Sequence, residues 1–342
     1  MTHRVAYMLE QGVPPYNILA VTFTNKAAGE MKDRIEALTG IVRGMWVMTF
    51  HAMCLRILRN HGEVIGYNNG FSVYDESDKK ALLKRIVKEL KIDEKIYSIS
   101  YLASVISSCK ESEEDPETYV EQNPMNFKAE TVAKVYEQYM YELKQNNAMD
   151  FDDLLWNAVK VLEASDEVLE YYQRRFRYIM VDEYQDSNIA QFEFLKVLTG
   201  ENTYICVVGD DDQSIYRFRG AEVQNILTFA DTFKNTKIIR LEKNYRSYSE
   251  ILAVADSVVK KNTGRLGKTL VAERGKGQKP HIYFLPNQET EAELCARLIS
   301  QEVENGGAYS DWAVLYRTNA QSLNFETDFL HKKIPYQVIG TL

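Results

Sequence analysis

Tyr178-Ile179-Met180-Val181-Asp182-Glu183 is a short apolar run that ends in two adjacent carboxylates. An apolar run of this length, bounded by charged residues, reads as a buried β-strand. In an open parallel sheet, ligands sit outside the carboxyl ends of the strands. An Asp at that position can hold a Mg²⁺ that also binds nucleotide phosphates. A Glu beside it can orient or deprotonate an attacking water. The same six residues also fit a strand followed by a plain acidic turn, so the neighbouring sequence has to decide.

Downstream, Tyr204 to Val208 is a second apolar run, followed by Gly209-Asp210-Asp211-Asp212-Gln213-Ser214-Ile215-Tyr216-Arg217-Phe218-Arg219-Gly220. Gln213, a polar residue just past a parallel strand, is placed to contact a γ-phosphate. Tyr216, Arg217, Phe218 and Arg219 interleave rings with cations. Rings can stack the bases of a single strand at about 1–3 kcal/mol each while Arg holds phosphates; the bland alternative is a turn with a buried Tyr and Phe. A third cluster, Leu241-Glu242-Lys243-Asn244-Tyr245-Arg246-Ser247, offers a ring for a nucleobase and an Arg that can neutralise a transferring phosphoryl group from across a cleft. Its alternative is a surface Tyr–Arg pair.

Upstream, Ile18 to Phe23 and Met45 to Phe50 read as strands. Ala27, Met31, Ile35 and Leu38 form a helical stripe between them, and His51 to Asn60 forms another helix. Strand alternating with helix predicts a parallel α/β sheet. From about Ser72 to Glu170 the pattern turns helical, over Lys79 to Leu90, Tyr101 to Cys109, Thr131 to Leu143 and Asp152 to Glu163. The acidic stretch Glu111-Ser112-Glu113-Glu114-Asp115-Pro116-Glu117 reads as a solvated connection. Further strands are expected at Ile238 to Leu241, His281 to Leu285, Trp312 to Tyr316 and Tyr336 to Ile339, with helices over Ile251 to Lys261 and Glu289 to Val303. The domain reading is 1–71 with 171–241, an inserted helical segment 72–170, and a second α/β domain from 242 to 342.

The 342 residues carry 41 Lys and Arg against 49 Asp and Glu, a net charge of −8, with 45% hydrophobic and 26% charged residues. That mix excludes a disordered tail, a collagen-like fibre and a coiled coil. No apolar run approaches the roughly 18 residues of a membrane span, and Met1-Thr2-His3-Arg4 opens no secretory signal. The four cysteines are far apart, which argues for a reducing, cytoplasmic setting and against a zinc site. The acidic balance does not exclude a nucleic-acid binder, because a local basic groove can track a strand.

VDEYQD (181–186), GDDDQSIYRFRGA (209–221) and LEKNYRS (241–247), in this order, resemble the superfamily 1 DNA helicases of the UvrD/PcrA/Rep type. AVTFTNKAA (20–28), TFHAM (49–53) and AVLYRTNAQS (313–322) extend the resemblance over essentially the whole chain. The resemblance implies two RecA-like domains of the P-loop NTPase type, the second one partial, and ATP-driven 3′ to 5′ movement on single-stranded DNA. It implies Asp182 as the Mg²⁺ ligand, Glu183 as the catalytic base, Gln213 as the γ-phosphate sensor, Arg246 as the arginine finger and Tyr245 as the adenine-stacking residue. It also implies that Phe23, Asn25, His51, Tyr216, Phe218 and Arg219 contact single-stranded DNA. Phe218 stands where the family often has Trp, so weaker stacking is expected there.

The family's phosphate loop, GxxxxGK(S/T), supplies backbone amides and a Lys to the phosphates. The nearest likeness, Gly264-Arg265-Leu266-Gly267-Lys268-Thr269, is rejected. Asn262 stands where the first Gly belongs, a helical pattern precedes it, and it follows the Tyr245-Arg246 motif. The chain is therefore expected to be a helicase piece without that loop and without the C-terminal part, acting on single-stranded DNA or single/double-strand junctions and holding ATP and Mg²⁺ weakly if at all; the alternative is a catalytically silent module that binds single-stranded DNA or a protein partner. Steady-state ATPase is expected near background, since removing part of a preorganised electrostatic clamp costs several kcal/mol of barrier. Robust DNA-stimulated turnover by this polypeptide would refute the expectation.

Overall fold

The computed structural model describes residues 1–40, 43–216 and 220–339. The chain divides into two compact units, Met1–Glu242 with Ser257–Thr269, and Lys243–Asp256 with Leu270–Leu342.

The first unit opens with helix α1 (Thr2–Glu10), strand β1 (Ile18–Thr22), helix α2 (Asn25–Thr39), strand β2 (Trp46–Thr49) and helix α3 (Phe50–His61). A three-residue strand, β3 (Ser72–Tyr74), leads into helices α4 (Glu76–Glu89), α5 (Ile99–Glu111), α6 (Pro116–Gln122) and α7 (Ala129–Gln145). Strand β4 (Ala148–Asp150) follows, then helices α8 (Phe151–Ala164) and α9 (Asp166–Arg175), strand β5 (Tyr178–Val181), helix α10 (Ile189–Leu198) and strand β6 (Tyr204–Val207). Two single-turn helices, α11 (Gln224–Leu227) and α12 (Phe229–Thr232), complete it.

The main sheet is parallel throughout, in the order β2-β1-β5-β6. All five residues of β1 are buried, as expected for a strand covered on both faces. Successive side chains go to opposite faces. Leu19, Val21, Ile179 and Val181 enter a core with α3, α8 and α10, whereas Ile18, Ala20 and Met180 pack with Val5 of α1 and Met31 and Ile35 of α2. Each fully buried aliphatic or Phe side chain contributes about 1.5–3 kcal/mol.

Helix α2, which joins β1 to β2, covers one face, and α10, which joins β5 to β6, covers the other. The strand order therefore runs outward in both directions from the β1/β5 boundary. That boundary is the topological switch point, where the carboxyl ends of open α/β sheets hold ligands.

The helices α4 to α7 build a separate core around Leu83, Ile86, Leu102, Ile106, Val135 and Tyr139. The three-residue strands β3 and β4 pair in parallel and bracket this segment. Helices α8 and α9 pack instead on the sheet side, through Leu155, Val159, Leu162 and Tyr172. The acidic connection is shorter than the charge run suggested: Asp115 caps α6, accepting from Thr118 N at 2.7 Å, and Pro116 occupies the first turn, where its missing N–H costs nothing.

The second unit holds the short parallel pair β7 (Lys243–Asn244) and β8 (Val271–Ala272), and helices α13 (Ser249–Val259), α14 (Gln288–Glu304) and α15 (Ser322–His331). The last residues of α13 belong to the first unit. Helices α14 and α15 pack through Ala292, Ala296, Ile299, Phe325 and Phe329. The strands expected at 238–241, 281–285, 312–316 and 336–339 are not formed among the described residues. Ile282, Phe284 and Leu315 are more than four-fifths exposed. Apolar alternation gives a strand its faces, but a ladder partner gives it hydrogen bonds, and none is present for these segments among the described residues.

Candidate functional site

Four chain segments leave the sheet at its carboxyl edge. After β1, Thr24 accepts from Ala27 N at 3.1 Å and caps α2; after β2, Thr49 accepts from Ala52 N at 3.3 Å and caps α3. A Thr between an apolar run and a helix ends the strand and satisfies an orphan amide. The two caps bring Phe23, Asn25 and His51 to this edge. After β5 come Asp182 and Glu183; after β6 comes the turn that carries Gln213.

The acid pair is held by backbone. Asp182 N donates to Val21 O at 2.9 Å, Tyr184 N to Val208 O at 3.0 Å, and Val208 N to Val181 O at 2.8 Å. Glu183 sits in the left-handed region at φ 52°, uncommon for a residue with a Cβ and a frequent mark of functional turns. Its Oε2 accepts from Gln185 Nε2 at 2.8 Å, and Gln185 Oε1 accepts from Asp210 N at 3.0 Å. Gly209 permits that bridge, because a Cβ there would stand 2.7 Å from Gln185 Oε1 and 2.8 Å from Ile226 Cδ1. Gln213 Nε2 in turn donates to Asp210 Oδ2 at 2.7 Å.

Burial and then the neighbouring Glu183 push the Asp182 carboxyl above its ordinary range. No cationic side chain lies within ion-pair distance of Asp182 or Glu183 among the described residues. Thr22 Oγ1, at the end of the adjacent strand, is buried without a partner. Crowded carboxylates that form no ion pair with a cationic side chain among the described residues, beside a hydroxyl without a partner, are hard oxygen donors of the kind a divalent cation takes. The residues present therefore fit Mg²⁺.

Asp186 is pushed up to about 6, by burial first and by Glu183 second, against the hydrogen bond from Gln185. Its Oδ1 has no partner. A carboxyl raised from 3.8 favours the folded state only while protonated, so its contribution falls away as pH rises from about 4 to about 6. Asp186→Asn is expected to raise unfolding stability at pH 7 by about 1 kcal/mol, with the gain vanishing below pH ~4. Urea titrations at both pH values check this; a gain that grows in acid would contradict it.

Phe23 and Tyr216 stack with ring centroids 5.9 Å apart and planes 22° apart, joining the segments after β1 and β6. His51 lies 5.8 Å from the ring of Phe151, and burial, opposed by Asp152, lowers its pKa. Asn25 is exposed at the first position of α2. The chain's own sheet thus brings Phe23, Asn25, His51, Asp182, Glu183, Gln213 and Tyr216 to one edge. Phe218 and Arg219 lie outside the described residues.

Sequence profiles match in two blocks: the UvrD/REP helicase N-terminal domain over residues 1–234, and the UvrD-like helicase C-terminal domain over residues 239–342. The chain belongs to the UvrD/Rep helicase family. It is 43% identical over 342 residues to the ATP-dependent DNA helicase PcrA of Staphylococcus aureus strain Mu50, a match covering 99% of this chain and 47% of that protein. It is 44% identical, over the same shares, to PcrA of Staphylococcus epidermidis strain ATCC 12228. The chain spans about half the length of these relatives. The parallel α/β sheet is that of a UvrD-like RecA-type domain.

Tyr245 and Arg246 of this UvrD/Rep chain lie in the second unit, both exposed. Asn244 Oδ1 accepts from Arg246 N at 3.1 Å and Ser247 N at 2.8 Å, which closes the turn that presents them. Arg246 O accepts from Arg274 Nη1 at 3.0 Å. Three residues that the sequence did not single out for a role also belong to the site's framework: Gln185, Arg265 and Lys268. For Gln185 the available signal was its place between two acids in a tight turn.

Proposed function

We propose that the protein is an ATP-dependent DNA helicase that moves 3′ to 5′ along single-stranded DNA in the cytoplasm. The observation that carries this reading is the gathering of an acid pair, a polar sensor and a ring pair at the switch-point edge of one parallel sheet. Residues 1–71 and 171–241 form the proposed ATPase domain. The segment 72–170 is inserted into it, with α8 and α9 packed back on the ATPase core, and 242–342 begins the second RecA-like domain.

In this reading Asp182 holds Mg²⁺, Glu183 takes a proton from the attacking water, and Gln213 contacts the γ-phosphate. Tyr245 stacks on adenine and Arg246 neutralises phosphoryl charge. Bound Mg²⁺ supplies charge neutralisation at the phosphate oxygens. Phe23, Tyr216 and Phe218 stack bases, while Asn25, His51 and Arg219 contact the strand. The φ of Glu183 and its bond from Gln185 fix the direction of the base before any ligand arrives, which is the preorganisation catalysis uses.

The 342-residue polypeptide contains no GxxxxGK(S/T) sequence. We expect it to bind single strands in a salt-sensitive way with turnover near background. A polypeptide that also carries such a loop ahead of Met1 is expected to unwind a 3′-tailed duplex and to leave a 5′-tailed one intact. The reverse preference would overturn the proposed direction.

A further inference from the structure

The turn that presents Gln213 contains three consecutive carboxylates, Asp210, Asp211 and Asp212, whose oxygens lie within 4.8 Å of one another. Like charges at that spacing oppose one another and would spread the turn. They are met by the rejected phosphate-loop likeness. Arg265 grips Asp212 with two bonds, Nε to Oδ1 at 2.6 Å and Nη2 to Oδ2 at 2.7 Å. Leu266 N donates to Asp211 Oδ2 at 2.9 Å. The Lys268 ammonium bonds Asp210 directly and lies 3.4 Å from Asp212 Oδ2 and 4.0 Å from Asp211 Oδ1.

These contacts lie within the first unit, to which 257–269 belongs. They are largely withdrawn from water: the side chains of Asp211 and Asp212 are 9% and 8% exposed, those of Arg265 and Lys268 17% and 18%. A bidentate Arg–carboxylate pair with this little exposure fixes orientation as well as charge.

Asp210 is also the residue that accepts from Gln213 Nε2 and whose amide donates to Gln185, which in turn holds Glu183. A continuous chain of contacts therefore runs from Lys268 to both the proposed sensor and the proposed base. We propose that Arg265 and Lys268 are positioning residues that lock the Asp210–Gln213 turn and, through Asp210 and Gln185, set the direction of Gln213 and Glu183. The link to nucleotide rests on the functional reading above; the locking of the turn does not.

The test uses the whole chain and the pair Arg265→Met and Lys268→Met, alone and together, with Arg265→Lys and Lys268→Arg as conservative controls. Amide exchange is read over residues 209–216 and 183–186, with β1 as the internal reference. Mg²⁺ with fluorescent ATP or ADP is titrated in parallel. The double variant is expected to raise exchange in both segments well beyond any rise in β1, with some loss of melting temperature because Asp211 and Asp212 lose their counter-charges. The preference for ATP over ADP should fall about tenfold, the worth of one charge-assisted contact, with ADP affinity kept. Lys268→Arg should keep most of the protection, and Arg265→Lys, which keeps the charge but not the two-point grip, only part of it.

Unchanged exchange at 209–216, or exchange that rises equally in β1 with both nucleotides weakened together, overturns the proposal. If the wild-type chain, which has no GxxxxGK(S/T) sequence, binds neither nucleotide, the exchange result alone decides the clamp. Selective loosening then upholds it, and no loosening removes it.

Discussion

Replacing Lys110 by Met is expected to lower the unfolding free energy by about 3–5 kcal/mol, the cost of stripping one partner from a buried ion network. Lys110 and Asp150 are nearly inaccessible to solvent, and their Nζ and Oδ2 are 2.9 Å apart. Lys110 also reaches Asp153 Oδ1 at 2.7 Å. Tyr139 OH donates to Asp150 Oδ2 at 2.9 Å, while Lys79, nearly as buried, bonds Asp152 at 2.7 Å together with Ser107 at 2.6 Å. These residues come from α4, α5, α7, β4 and α8, so the network ties the separate helical core to the strand and helix that return to the sheet.

Burial alone would lower the Lys110 ammonium, yet Asp153 and Asp150 overcome it and hold it above its usual range. Asp150 is opposed by burial but held low by Lys110 and Lys79. Removing the ammonium leaves two carboxylates in a water-poor space. Urea unfolding of Lys110→Met and of the double variant Lys110→Met/Asp150→Asn checks this. The second change should return part of the loss, and a single-variant loss below about 1 kcal/mol would mean the network is solvated like a surface pair.

Phe23→Ala and Tyr216→Ala are each expected to weaken single-stranded DNA binding by about 1–3 kcal/mol, roughly five- to 150-fold in Kd. The two rings already lie nearly parallel. Their separation is that of a mutual contact, so under the proposed function a base would stack on the outer face of the pair. Because each ring supports the other, the double variant should lose less than the sum of the singles. Fluorescence anisotropy with a labelled oligo(dT) reads the change. Unchanged affinity in both single variants would make the pair a packing contact only.

The main sheet was legible because parallel strands buried on both faces appear as uninterrupted apolar runs. Ile18 to Thr22 and Tyr178 to Val181 show this, whereas Tyr204 to Val207 is an apolar run at the sheet's edge that stays partly exposed; the candidate edge followed because Asp182 and Glu183 stand directly after one run and the Asp210–Gln213 turn soon after another. Helix α10 was missed although Asn188 and Gln191 form a visible capping box, each side chain accepting from the other's amide. The strands β3 and β4 are three residues each and too short for any period to show.

The buried network hid because Lys79 and Lys110 occupy the apolar stripes of their helices, where a sequence reading assigns solvent to charge. The Arg265 and Lys268 clamp hid because its partners are 53 and 58 residues away, and no local pattern encodes such a pairing. The opposite error occurred at 281–285 and 312–316. Their apolar residues suit a strand, but pairing is a property of two segments and cannot be read from one.

Ultraviolet crosslinking of oligo(dT) to the wild-type chain, with the attached peptides mapped by mass spectrometry, tests the placement of DNA most directly. Crosslinks are predicted on the segments that leave the sheet's carboxyl edge, at Phe23, His51 and Tyr216. Crosslinks confined to other surfaces, with none on these three segments, would contradict the account.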